Sequence, residues 1–102
     1  MFYLKRFLNA QNSGGLYDNM TDYQTALQEI SNGYKKTHWI WYVFPQMKGL
    51  GKSELSQFYG INGREEAYAY MQDPILSKRL IVFCISSSNI YIFLFFLVFI
   101  SL

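Results

Sequence analysis

The chain has 102 residues, of which 51% are hydrophobic and 20% aromatic, and its formal net charge at pH 7 is +2. This length allows a single domain at most. The charge is too small for a protein that binds the phosphate backbone of nucleic acid, because such proteins gather Lys and Arg into a clear patch. We therefore expect no nucleic-acid partner.

Two helices are predicted before residue 34. Over residues 2–11, apolar side chains recur at helical spacing, with Lys5 and Arg6 expected on the opposite, solvent-facing side. The sequence NSGG at 12–15 ends this helix. Asn19 or Thr21 then caps a second helix, whose apolar positions are spaced by three and four residues: Tyr23, Ala26, Leu27 and Ile30. Gly33 follows as the residue that ends it.

Residues 37–53, THWIWYVFPQMKGLGKS, join an aromatic run to a segment that cannot continue regular structure. By propensity alone, HWIWYVF favours a strand. A continuous apolar run of this length is equally typical of a buried helix, and the neighbouring segments have helical periodicity. Pro45, Gly49 and Gly51 stop the run. We expect its large side chains to be mainly structural: Trp39, Trp41 and Phe44.

Three more helix boundaries are predicted after this turn. Ser53 can cap a helix that runs through Gln57 or Phe58, and Gly60 closes it. In the segment REEAYAYMQ at 64–72, the two glutamates favour the positive end of a helix dipole. Asp73 and Pro74 end that helix and begin the next, because proline is well tolerated in a first helical turn.

Four blocks of the sequence, in this order, resemble one family: RFLNAQ at 6–11, YQTALQEISNGYKK at 23–36, HWIWYVFPQMKGLGKS at 38–53 and YGINGREEAYAYMQDPILSKRL at 59–80. The family is the domain of unknown function 1810. The resemblance covers residues 3–80 and implies an all-α fold, which supports a helix over HWIWYVF. It implies no settled activity and therefore no catalytic residue. Family members usually continue through a further block that we do not find here, so we expect residues 1–80 to be part of a small, truncated helical domain.

Residues 81–102 are expected to form an apolar tail, because the sequence from residue 80 onward carries no charged side chain. A helix of this length would be about 35 Å long and would cross a bilayer, with Lys78 and Arg79 on the cytoplasmic side. Polar residues at 86–89 oppose this interpretation. The alternative is a gene-model artefact, such as read-through or truncation, since many of the residues have codons rich in A and T. Both interpretations remain open, and membrane association through residues 80–102 is the one partner that the sequence suggests.

The single cysteine, Cys84, excludes an internal disulfide and fits a reducing compartment. Its neighbours are apolar, so we do not expect a reactive thiol. The N-terminal sequence is not typical of a secretory signal peptide. We therefore expect residues 1–79 to be cytoplasmic.

The sequence GKS at 51–53 is part of a phosphate-loop motif, but that motif needs a glycine where Gln46 stands. A weaker hypothesis is that backbone N–H groups near Gly49, Gly51 and Ser53 hold an anion beside Lys52. The alternative is that the glycines only form the turn.

His38 is another candidate for chemistry, as a general acid or base. A histidine among tryptophans is otherwise a packed residue that bonds to the backbone. We expect no metal, because there is no second histidine and the acidic residues lack ligand spacing. No cofactor is indicated.

Two functional classes follow, and the sequence assigns no activity to either. The first is a domain that binds a small ligand or anion, nucleotide-like or phosphorylated, through the region 38–53, using His38, Gln46 and the turn at 49–53. It predicts a polar pocket that converges on His38 and Lys52. The second is a helical protein-interaction module, which predicts that these two side chains are dispersed and solvated.

Overall fold

The computed structural model describes residues 2–15, 17, 19–49 and 51–86. These residues form six helices, which are α1 (Lys5–Ser13), α2 (Tyr23–Ser31), α3 (Ile40–Val43), α4 (Glu54–Tyr59), α5 (Gly63–Gln72) and α6 (Pro74–Ser86). The described part of the chain contains no β-strand, only two isolated bridges, Met20 to His38 and Met47 to Ile61. The predicted all-α fold is confirmed.

Side-chain caps explain where several helices begin. The Ser53 hydroxyl accepts a hydrogen bond from the Ser56 N–H at 3.1 Å and caps α4, as predicted. The Asp73 carboxylate accepts the Leu76 N–H at 2.9 Å in the first turn of α6. The cap of α2 is Asp22, which accepts the Thr25 N–H at 2.9 Å. The prediction of Asn19 or Thr21 was wrong, because an equally good capping residue stands directly before the helix.

The aromatic run forms less helix than predicted. Only residues Ile40–Val43 of HWIWYVF are helical. His38 lies in an isolated bridge with Met20, and Phe44 is extended, as expected for a residue before proline. Trp39 is 3% exposed and its ring lies 5.2 Å from that of Phe83. The run therefore contributes one helical turn and several core side chains.

The core lies where α1 packs against α2 and α3, and where α6 packs against α2 and α5. Four of its buried rings come from four different helices: Phe7, Tyr42, Tyr59 and Tyr70. Phe7 contacts Tyr70 edge to face at 5.1 Å, and Tyr42 contacts Tyr59 at the same distance. Burying rings of this size contributes roughly 2–3 kcal/mol each. Aromatic side chains from α1, α3, α4 and α5 thus contribute to one core.

Helix α6 passes through the predicted domain boundary at residue 80 and continues to Ser86. Leu80, Phe83 and Cys84 are buried in the core. No helix within the described ranges is long and apolar enough to cross a membrane. Residues 87–102, which contain most of the predicted membrane segment, lie outside the described residues.

Candidate functional site

The structure places two of the predicted site residues, His38 and Lys52, in different environments. His38 is exposed and lines a small pocket of about 90 Å³ together with Lys35, Trp39, Trp41 and Leu55, among others. Its backbone N–H donates to the Asn19 carbonyl oxygen at 2.8 Å. Lys52 is exposed and is not among the residues that line this pocket.

The turn before α4 uses several of its polar groups internally. Gln46 donates from its side-chain amide to the Phe44 carbonyl oxygen at 3.0 Å. The Ser53 hydroxyl oxygen accepts the Ser56 N–H in the cap of α4. Gly49 has a φ of 100°, which favours glycine, and Gly51 accepts a hydrogen bond at its carbonyl from Gln57 at 3.3 Å. Helix α4 has only six residues, so its dipole is weak. An anion site at residues 49–53 stays a prediction.

A larger cleft lies elsewhere, between the start of α1 and the start of α5. Its volume is about 310 Å³. We call it the Arg6 cleft. Nine residues line it: Phe2, Tyr3, Arg6, Lys48, Gln57, Phe58, Gly60, Asn62 and Glu66. Of these only Lys48 belongs to the predicted region 38–53.

The floor of the Arg6 cleft is a buried ion pair. Arg6 is 7% exposed and Glu66 is 3% exposed. The guanidinium Nη1 lies 3.1 Å from Glu66 Oε2, and Nη2 lies 3.1 Å from Glu66 Oε1, so the pair is bidentate. Hydrogen bonds to charged groups in this arrangement are among the strongest in proteins. The pair joins two helices that are sixty residues apart in the sequence.

All five guanidinium N–H groups of Arg6 are used. Besides Glu66, they donate to the carbonyl oxygens of Tyr3, Phe58 at 2.8 Å and Gly60 at 3.1 Å. Glu66 Oε1 also accepts the Asn62 N–H at 2.7 Å. The floor is therefore rigid and has no spare donor on Arg6 for a ligand.

Backbone contacts place Lys48 at the edge of this floor. The Lys48 N–H donates to the Ile61 carbonyl oxygen at 2.9 Å, and the Ile61 N–H donates to Gln46 at 2.8 Å. A Cβ atom on Gly60 would lie 2.6 Å from Lys48 Cα, so only glycine permits this close approach. The Lys48 side chain is left at the rim, where it is exposed.

The rim of the Arg6 cleft is aromatic and exposed. Tyr3 is 55% exposed, Phe58 is 47% exposed and Phe2 is 40% exposed. Tyr3 and Phe58 meet edge to face, with 6.4 Å between ring centroids. Exposed aromatic rings that border one cleft are a common feature of binding sites.

A second buried carboxylate, Glu29, has a different role. It accepts hydrogen bonds from the Thr37 hydroxyl at 2.6 Å, from the Trp39 indole at 3.0 Å and from the backbone N–H of Lys36 and Thr37 at 2.8 and 3.0 Å. Burial alone would raise the pKa of Glu29, but these hydrogen bonds outweigh burial and lower the pKa to about 2. Glu29 thus holds the connector between α2 and α3 and fixes the buried Trp39.

Burial also raises the pKa of the Cys84 thiol to about 11, which keeps it protonated at neutral pH. Among the described residues, no group of three or more His, Cys, Asp or Glu side chains could hold a metal ion. The Arg6 cleft is larger than the pocket beside His38, at about 310 Å³ against about 90 Å³.

Sequence reasoning missed the Arg6 cleft for a physical reason. The prediction that Arg6 faces solvent was wrong, because Glu66 and three carbonyl oxygens compensate its burial. Glu66 was interpreted only through the helix dipole, which does not distinguish it from the exposed Glu65. An amphipathic pattern assigns charged residues to the surface and cannot identify a pair that meets across sixty positions.

The chain belongs to the family described as Protein of unknown function (DUF1810), whose model matches residues 1–90. The match extends ten residues beyond the resemblance seen in the sequence blocks. The chain is also similar to the conserved hypothetical protein Rv1873 from Mycobacterium tuberculosis, whose crystal structure is known at 1.38 Å. The two are 40% identical with a TM-score of 0.75, and the similarity covers 86% of this chain and 57% of that one. The chain thus spans little more than half of the other protein's length. No curated protein matches it. Neither the description of the family nor the name of the similar structure assigns an activity.

Proposed function

We propose that this domain binds a small ligand in the Arg6 cleft. One observation carries the proposal: three exposed aromatic rings border a shallow, open cleft whose floor is a fully hydrogen-bonded ion pair. The volume of about 310 Å³ is at the lower end of the range for small-molecule sites, which is roughly 300–1,000 Å³.

The arrangement of the floor suits ligand binding in addition to joining α1 and α5. A buried ion pair contributes little more to stability than apolar residues of the same size. A floor that is already fully bonded needs no reorganisation when a ligand arrives, which lowers the free-energy cost of binding. The exposed rings supply apolar area that a ligand would cover.

No reaction is assigned to the site. Both side chains of the floor have their polar atoms engaged, and the lining residues contain no cysteine, serine or histidine. The hypothesis of a nucleotide-like or phosphorylated ligand at His38, Gln46 and the turn at 49–53 stays a prediction. The Arg6 cleft is the better supported location.

Ligand-observed NMR on the full-length chain tests the proposal with a library of small aromatic fragments. The variants Tyr3→Ala and Tyr68→Ala form a matched pair, because the two side chains are 55% and 57% exposed but only Tyr3 lines the cleft. We expect fragments that bind the natural chain to lose affinity in Tyr3→Ala and to keep it in Tyr68→Ala. Equal effects of the two substitutions would contradict the proposal.

A helical interaction module is the second candidate function, and the outer side of α6 favours it. Four apolar side chains on this helix are between 37% and 69% exposed: Ile75, Ile81, Val82 and Ile85. Val82 and Ile85 are three positions apart and Ile81 and Ile85 are four apart, a spacing that is typical of helix pairing. We expect the double variant Val82→Glu/Ile85→Glu to weaken self-association of the full-length chain in analytical ultracentrifugation. A natural chain that sediments as a monomer at every concentration would oppose this candidate.

For localisation, we propose that residues 1–79 are cytoplasmic and that any membrane attachment through residues 80–102 uses the part beyond Ser86. Leu80, Phe83 and Cys84 belong to the core, so their insertion into a bilayer would open the fold. Flotation with liposomes tests this in the natural chain and in a chain that ends at residue 86. Flotation that persists after the deletion would contradict the proposed attachment.

A further inference from the structure

We infer that the ligand of the Arg6 cleft is a small aromatic anion, such as an aromatic phosphate or carboxylate, and that Lys48 is the residue that binds its charged group. This inference rests on the proposed function and specifies the chemistry of its ligand.

The charge of the cleft supports an anion. Three of its lining residues have formally charged side chains: Arg6, Lys48 and Glu66. The bidentate bond between Arg6 and Glu66 neutralises one positive and one negative charge inside the floor. One positive charge remains, and it belongs to Lys48. A cationic ligand would therefore meet an ammonium group without a compensating carboxylate.

Lys48 is also available to a ligand. Its backbone is fixed by the bridge between Met47 and Ile61, but its side chain makes no hydrogen bond or ion pair with another described residue. The side chain is exposed, so binding an anion requires no prior break of an internal contact. The exposed side chain of Asn62 stands on the same cleft and offers an amide donor.

The aromatic rings at the rim of the cleft indicate the chemistry of the uncharged part of the ligand. Tyr3 and Phe58 touch edge to face, so the space between them is closed and a ligand ring must pack on their exposed faces. A flat aromatic ring covers such a surface with favourable geometry, whereas a bare inorganic anion would leave it in water. The cleft is thus suited to a molecule with an aromatic ring at one end and a negative group at the other.

Backbone amide NMR titrations of the full-length chain with four probes test the inference. The probes are phenyl phosphate, benzyl alcohol, benzylamine and inorganic phosphate. We expect phenyl phosphate to bind most tightly and to shift the amides of Tyr3, Lys48, Phe58 and Asn62. Its affinity should fall as salt concentration rises, because the ammonium group is exposed and screened.

Three lysine variants then locate the charged contact. Lys48→Gln should weaken phenyl phosphate binding about two- to fivefold, the range for one exposed charged contact. Lys78→Gln is the neutral control, because Lys78 is exposed on α6 and is not among the cleft residues. Loss of affinity in Lys52→Gln but not in Lys48→Gln would move the anion to the turn at 49–53 and overturn the inference.

The remaining outcomes distinguish a failure of this inference from a failure of the proposed binding function. Equal affinity for phenyl phosphate, benzyl alcohol and benzylamine, with shifts in the cleft, would overturn the preference for an anion and leave the proposed binding function intact. Inorganic phosphate that binds as well as phenyl phosphate would overturn the aromatic requirement. Absence of any shift in the cleft amides would overturn both.

Discussion

Neutralising Glu66 tests whether the buried ion pair holds α1 and α5 together. In Glu66→Gln, the side chain keeps its shape and still offers one oxygen to Asn62 or Arg6. The guanidinium of Arg6, 7% exposed, loses its counter-charge. Removing one partner of a buried pair typically costs about 3–5 kcal/mol.

The structure places the expected cost at the lower end of this range. The carbonyl oxygens of Tyr3, Phe58 and Gly60 continue to accept hydrogen bonds from Arg6 and partly compensate its charge. We therefore expect a loss of about 3 kcal/mol, a large share of a total stability that is usually about 5–15 kcal/mol. For a domain of this size, that corresponds to a fall in Tm of roughly 12–24 °C.

Glu65→Gln is the matched control, because Glu65 precedes Glu66 in α5 and is exposed. It loses only its interaction with the helix dipole, which contributes about 0.3–1 kcal/mol. Urea denaturation followed by circular dichroism measures both variants. If Glu66→Gln and Glu65→Gln were equally stable, the ion pair would have no structural function and the argument would fail.

Three further substitutions test other parts of the account. Glu29 has a pKa of about 2 in the folded chain, below its ordinary 4.5, so its contribution to stability is present above pH 4.5 and is lost as pH falls toward 2. The stability difference between the natural chain and Glu29→Gln should thus shrink between pH 6 and about pH 2 in urea titrations, and a constant difference would contradict this. Trp39→Ala should lower the free energy of unfolding by about 3–5 kcal/mol, and Trp41→Ala by less, because only Trp39 of the two is fully buried. Thermal denaturation that ranks the two variants in the opposite order would show the core to be misassigned. Gly60→Ala should cost about 1–3 kcal/mol, because its Cβ would meet backbone atoms at 2.6 Å, and an unchanged Tm would show that the backbone relaxes freely.

Local chemistry made much of the helical frame predictable. Ser53, Gly60 and Pro74 act at the helix ends where their hydrogen-bonding and backbone preferences place them. These preferences depend on neighbours within four residues, so they can be recognised in a single sequence. The run HWIWYVF was less predictable, because its rings suit a strand and a buried helix equally. The structure uses part of it as one helical turn and part as extended chain.

The candidate site was not predictable from the same local rules. The Arg6 cleft depends on contacts between residues 52 to 60 positions apart, namely Arg6 with Phe58, Gly60 and Glu66. An isolated arginine on an amphipathic helix has the same local pattern whether it is solvated or paired. Lys48 lay inside the predicted region 38–53, but its position at the cleft depends on the bridge between Met47 and Ile61. Only the tertiary arrangement brings these groups together.

Intermolecular nuclear Overhauser effects between phenyl phosphate and the full-length chain test the central claim most directly. We predict contacts from the phenyl protons to the rings of Tyr3 and Phe58, and loss of these contacts in Phe58→Ala. The matched variant Tyr68→Ala should retain them, because Tyr68 is 57% exposed but does not line the cleft. Contacts confined to His38 and the turn at 49–53, or none to the cleft rings, would contradict the account.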